Sequence, residues 1–86
     1  MRLEGSIYQE NKLLNRLTLG IPEDGRPLVF NLDRCLLAMC KELGVPLPVW
    51  MEKNTREFAA WRQTSFSREQ FVEKTLIDRF QIRMME

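Results

Sequence analysis

The sequence predicts an α+β domain in which a small antiparallel sheet, an N-terminal hairpin plus a C-terminal strand, is covered on its apolar face by two or three helices. Three observations carry this expectation. Residues 3–21 alternate apolar and polar in two runs, residues 31–43 carry an apolar stripe at helical period, and residues 79–84 alternate again.

In the first run Leu3, Gly5 and Ile7 point one way, while Arg2, Glu4, Ser6 and Tyr8 point the other, which describes a strand with one buried face. After the polar break Gln9-Glu10-Asn11, Leu13, Leu17, Leu19 and Ile21 resume the pattern with Lys12, Arg16 and Thr18 opposite. The two runs make a hairpin with an expected loop of three to four residues. Pro22-Glu23-Asp24-Gly25-Arg26-Pro27 stops the second strand, because proline fixes φ and glycine accepts positive φ. Leu28-Val29-Phe30 is too short to classify.

Asn31 is a plausible N-cap for a helix that ends at Leu43, with Gly44 at C′ and Pro46 barring continuation. Leu32, Leu36, Met39 and Leu43 fall within a stripe about 60° wide. Leu37 lies outside it beside Arg34 and Lys41, so it needs either exposure or a second contact, such as the extended Pro46-Leu47-Pro48 segment. Asn54 and Glu57 form a capping pair for a short helix through about Gln63, with Phe58 and Trp61 on one face; a strand through Phe58, Ala60 and Arg62 is its rival. Ser67 opens a fully specified helix start: Gln70 completes a capping box and Phe66 and Phe71 a hydrophobic staple. From Asp78 the period changes to two, giving a terminal strand, although Val72, Leu76, Phe80 and Met84 also follow an i, i+4 row that a continuous helix would use.

The chain of 86 residues is read as one domain, 1–86, since this length supports one small core. Its 13 Lys+Arg against 12 Asp+Glu leave a net charge of +1, too balanced for a general polyanion binder. With no histidine, there is no Ser-His or Cys-His couple, no His-ligated metal and no imidazole proton shuttle, so no catalytic, cofactor or metal site is assigned. Lys, Asp, Glu and Tyr retain acid–base capacity, so the missing histidine disfavours catalysis without excluding it. Cys35 and Cys40, five residues apart on the first helix, would lie roughly 8 Å apart at Cα, beyond disulfide reach. They are expected to be buried, reduced thiols. No apolar stretch is long enough for a secretory core or a membrane span, and the expected compartment is the cytoplasm, with no membrane partner.

Two surfaces stand out. Leu37, Trp50 and Met51 supply the residue types that interface cores favour and form a candidate patch for a protein partner or a second copy of the chain. The stretch from Trp50 to Arg68 interleaves aromatic and basic residues, and Arg56, Trp61 and Arg62 form an alternative single-stranded nucleic-acid site. The same aromatics also have an ordinary place in a small core. The segments Trp50-Met51-Glu52-Lys53-Asn54-Thr55-Arg56-Glu57-Phe58 and Asp78-Arg79-Phe80-Gln81-Ile82 resemble parts of small uncharacterised bacterial single-domain proteins. That resemblance implies a bacterial, cytoplasmic origin and carries no activity with it. The leading expectation is a non-enzymatic interaction module, self-association included.

Overall fold

The computed structural model describes residues 1–85. Strands β1 (Arg2–Gln9) and β2 (Lys12–Gly20) form the N-terminal hairpin, followed by helices α1 (Leu28–Leu43) and α2 (Glu52–Trp61), strand β3 (Gln63–Ser67), a 3₁₀ turn (Arg68–Gln70) and strand β4 (Arg79–Met85). The four strands are antiparallel in the order β2-β1-β4-β3. The α+β class, the hairpin, the terminal strand and the helical cover therefore stand as the sequence predicts, with β3 as an additional edge strand.

The hairpin is tighter than expected. Its turn has two residues, Glu10 and Asn11, both left-handed (φ 51° and 65°), the type I′ geometry whose twist matches the strands. The Asp78 carboxylate accepts the Glu10 N–H and pairs with Arg68, tying the turn to the loop before β4. A bulge follows: Ile7 pairs with Asn15 and Tyr8 with Leu13, so Leu14 is an extra residue. It turns Leu13 to the face of Tyr8, away from Leu17 and Leu19, which corrects the single apolar face expected for 13–21.

Helix α1 begins at Leu28, three residues before the expected cap. Pro27 serves as N-cap position, and its carbonyl accepts from Phe30 and Asn31 N–H. Asn31 works from inside the helix, where its Nδ2 donates to Pro22 O (3.1 Å) and Asp24 Oδ1 (3.0 Å) and straps the preceding loop to the helix. The C-terminus is the expected one: Gly44 is left-handed (φ 70°) and its N–H bonds back to Lys41 O. Leu32, Cys35, Leu36, Met39 and Cys40 pack on the sheet. Met39 lies so close to β1 that a Cβ at Gly5 would collide with its Sδ.

Helix α2 ends at Trp61, and the left-handed backbone of Arg62 at its C-cap (φ 57°) turns the chain directly into β3. Thr64 and Phe66 then face the core, and Gln63, Ser65 and Ser67 face outward. The capping box at Ser67 does form, with Gln70 Oε1 accepting the Ser67 N–H at 3.1 Å, yet it opens only one 3₁₀ turn. Val49 N–H donates to Gln70 O at 2.7 Å and Phe71 bridges to Pro48, so pairing with the 48–49 segment draws the chain into extended backbone where the expected helix would continue.

The core lies between the helices and one face of the sheet. Leu3, Ile7, Phe66, Phe80 and Ile82 come from the strands, Leu36 and Met39 from α1, and Phe58 from α2. Among the described residues, no helix is long and apolar enough to cross a membrane.

Candidate functional site

Two surfaces carry chemistry beyond what the fold consumes, one on the helical side and one on the open side of the sheet. On the helical side α1 lies against β2 and α2 against β3, at opposite ends of the strand order, and an apolar groove of about 500 Å³ opens between them. Leu28, Val29, Leu32 and Asp33 form its α1 wall, and Trp50, Thr55, Phe58 and Ala59 the other. Val29 is 71% exposed, an unusual state for a residue in the middle of an apolar wall.

The sequence-derived patch is divided by this geometry. Trp50 is half-buried: its ring meets Phe58 and Phe66 edge-on at 6.1 and 5.7 Å, and its indole N–H donates to Thr55 Oγ1 at 2.8 Å. It belongs to the groove wall opposite α1 and is no free-standing anchor. Leu37 is 52% exposed on the Val29-Asp33-Leu37 row of α1, one turn beyond the groove. Met51 is exposed at the N-cap position of α2, outside the groove wall. Phe30 lies next to that row with the guanidinium groups of Arg26 and Arg34 over its ring at 5.0 and 5.7 Å. Arg26 and Arg34 pair with Asp24, whose carboxyl is held below its ordinary value first by the Asn31 amide and then by the Arg26 N–H. Asp33 has no ion-pair partner among the described residues.

The other face of the sheet carries no helix. Strand register places Arg2, Glu4, Ser6 and Tyr8 of β1 there, with Arg16 and Thr18 of β2, Arg79, Gln81 and Arg83 of β4, and Gln63, Ser65 and Ser67 of β3. Glu4 is the acid among them and accepts from Arg83 Nη2 at 3.3 Å, with Arg16 Nε 3.9 Å away. Arg16 Nε also donates to Ser6 Oγ at 3.0 Å, and the Arg79 guanidinium lies 4.2 Å above the Tyr8 ring. Two adjoining depressions of about 170 and 240 Å³ share Gln63 and Gln81 and carry this face round the β3 edge to Trp61 and Glu57.

Of the nucleic-acid candidates, Trp61 is 69% exposed and borders this second surface. Arg56 is paired with Glu52 at 3.9 Å and stands about 140° round α2 from Trp61, so the two do not share a face. Arg62 caps the helix at the start of β3, with its carbonyl accepting from Met84 N–H. The arginines of the open face escaped the sequence reading although the alternation of Arg79, Gln81 and Arg83 against Phe80, Ile82 and Met84 was legible. What unites them with Arg16 and Tyr8 is the strand order, which alternation alone does not encode.

Cys35 and Cys40 are buried and free, and desolvation raises both thiols, Cys40 to about 11. Among the described residues no group of three or more Cys, Asp or Glu side chains is placed to hold a metal ion. No protein-family model, curated protein or solved structure matches this chain.

Proposed function

We propose that this chain is a non-enzymatic, cytoplasmic interaction module whose partner is a second copy of itself, docked through the N-terminal half of α1. The groove with Val29 exposed in its wall carries the proposal, because a lone monomer would leave that apolar concavity in water. A two-fold contact needs one patch to serve as both knob and hole. Here the groove is the hole, and Phe30 and Leu37, on neighbouring rows of the same helix, are the knobs. Charge fits the same arrangement: Asp33 stands unpaired in the groove wall, and Arg26 and Arg34 flank Phe30, so a seated Phe30 brings cations to the partner's carboxylate.

Sedimentation equilibrium across a wide concentration range tests this. The expected result is a monomer–dimer equilibrium that Val29→Asp abolishes while the melting curve of the monomer is retained. Asp33→Arg alone weakens the dimer, and Asp33→Arg with Arg34→Asp restores part of the loss across the two-fold. A wild-type protein that stays monomeric throughout, or a dimer indifferent to both Val29→Asp and Asp33→Arg, overturns the proposal.

A further inference from the structure

The overall charge of +1 conceals an uneven distribution. Arg16, Arg79 and Arg83 share the open sheet face with Glu4. Among the described residues these four side chains carry a local excess of two positive charges on a chain whose net charge is +1, and this is the only face of the sheet not covered by helices.

Arg16, Arg79 and Arg83 are held in place with one carboxylate, Glu4, among them. Glu4 engages Arg83 through one η nitrogen and approaches Arg16 through Nε, and Ser6 takes the remaining reach of that Nε. A guanidinium has five N–H donors, so most of the donors on both side chains face water in a fixed orientation. The Arg79 guanidinium carbon lies over the Tyr8 ring at 4.2 Å, a cation–π pair that a base can stack beside. Trp61 provides a second platform at the β3 border, where Gln63, Gln81 and Ser65 offer amide and hydroxyl groups between the two. Arg79, Gln81 and Arg83 follow one another on β4 at roughly 7 Å intervals. Lys53, in the first turn of α2, reaches the β3 edge and donates to Ser65 O. Glu57 opposes them, but its carboxylate accepts the Thr64 hydroxyl at 2.6 Å.

We infer that this open face binds single-stranded nucleic acid, with Arg16 and Arg83 contacting phosphates and with the Tyr8–Arg79 stack and Trp61 receiving bases. Flat π platforms beside well-spaced cations suit a strand with exposed bases. The point on which Arg16 and Arg83 converge is already held by the Glu4 carboxylate, which disfavours a small anion there, and Arg79 stands apart over Tyr8. A duplex would leave the platforms unused, because its bases are stacked on each other.

The test is fluorescence anisotropy of a labelled single-stranded oligonucleotide of about 12 nucleotides, matched to the span of such surfaces, with tryptophan emission followed in parallel. With about three phosphates neutralised, affinity should fall roughly 20-fold between 50 and 200 mM salt. Arg79→Ser with Arg83→Ser should cost at least ten-fold at low salt and flatten the salt slope. Trp61→Ala, at an exposed position, should cost about five-fold or more, the contribution of one stacked base, with the slope unchanged. Lys41→Ser, on the helical side, is the charge control and should leave affinity intact; circular dichroism melts establish that each variant is folded. The inference is overturned by no anisotropy change at low salt, by equal affinity for a duplex of the same length or for heparin, or by a Lys41→Ser loss matching that of the double arginine variant.

Discussion

Asn54 ties the start of α2 to β3 and to the 3₁₀ turn through one buried amide, and its removal should be costly. It is fully buried and all four hydrogen-bonding positions of its amide are used. Oδ1 accepts from Met51 N–H at 2.8 Å and Gln70 Nε2 at 2.9 Å, and Nδ2 donates to Thr64 Oγ1 at 2.7 Å and Ser65 O at 3.0 Å. In Asn54→Ala two of these partners are still satisfied: the Thr64 hydroxyl donates to Glu57 and the Ser65 carbonyl accepts from Lys53. The other two are not, because the Met51 N–H and one Gln70 amide proton lose their acceptor inside the protein. Each stranded donor costs about 1–2 kcal/mol, so the variant should lose about 3 kcal/mol. For a domain of this size that lowers the melting temperature by roughly 12–24 °C. Urea denaturation gives the free energy directly. Gln70→Ala, which removes the stranded donor, should be non-additive with Asn54→Ala, the double variant losing about 1 kcal/mol less than the sum. A single-variant loss below about 1 kcal/mol, or strictly additive effects, would refute the account of Asn54 as a hub joining the start of α2 to β3 and the 3₁₀ turn.

Replacing Glu10-Asn11 by Asn-Gly should stabilise the hairpin by about 0.5–1 kcal/mol in thermal melts, since both positions are left-handed and Asn-Gly suits a type I′ turn. At about pH 8, Cys35 and Cys40 should resist a disulfide reagent in the folded protein and both react in denaturant; burial holds Cys40 near 11, so its thiolate is scarce. The Asp24 carboxyl is held below the ordinary aspartate range, so the folded state binds its proton more weakly than the unfolded chain. Its stabilisation is complete above the unfolded value and is lost as pH falls through the folded one. The melting-temperature gap between wild type and Asn31→Leu should therefore narrow between about pH 6 and about pH 3; a constant gap would show that the Asn31–Asp24 bond is not what lowers the carboxyl. Gly5→Ala should cost about 1–3 kcal/mol by overpacking against Met39, measured by urea denaturation.

Local patterns that agree with their tertiary setting were legible. Alternation in 2–8 and 79–84 gave β1 and β4, and the stripe through Leu32, Leu36 and Met39 with Gly44 behind it gave α1 and its C-terminus. Legibility failed where a distant contact outweighed a local signal. Ser67 and Gln70 satisfy every local condition for a helix start and make the expected hydrogen bond, yet the chain leaves after one turn because Val49 and Pro48 pair with it from another part of the sequence. Leu13 keeps the parity of Leu17 and Leu19 in sequence and loses it in space because of one extra residue at Leu14. The same reasoning applies to the candidate sites: Trp61 was visible as an aromatic among cations, whereas its neighbours on the open face are set by strand order.

The division of the two faces also constrains how the two proposed activities relate. The groove is bounded by α1 and α2 on one side of the sheet, and the basic platform lies on the other, so the two share the sheet but no wall-forming side chain. A two-fold dimer through α1 would leave both open faces accessible, each bearing its own arginines. One strand of nucleic acid long enough to reach both would then bind as a bivalent ligand, and its apparent affinity would exceed that of a short oligonucleotide through effective concentration alone. That gain should vanish in Val29→Asp while short-oligonucleotide binding persists. Length-dependent affinity that survives Val29→Asp would instead place the extra contacts on a single protomer, because a monomer has only one such face to offer.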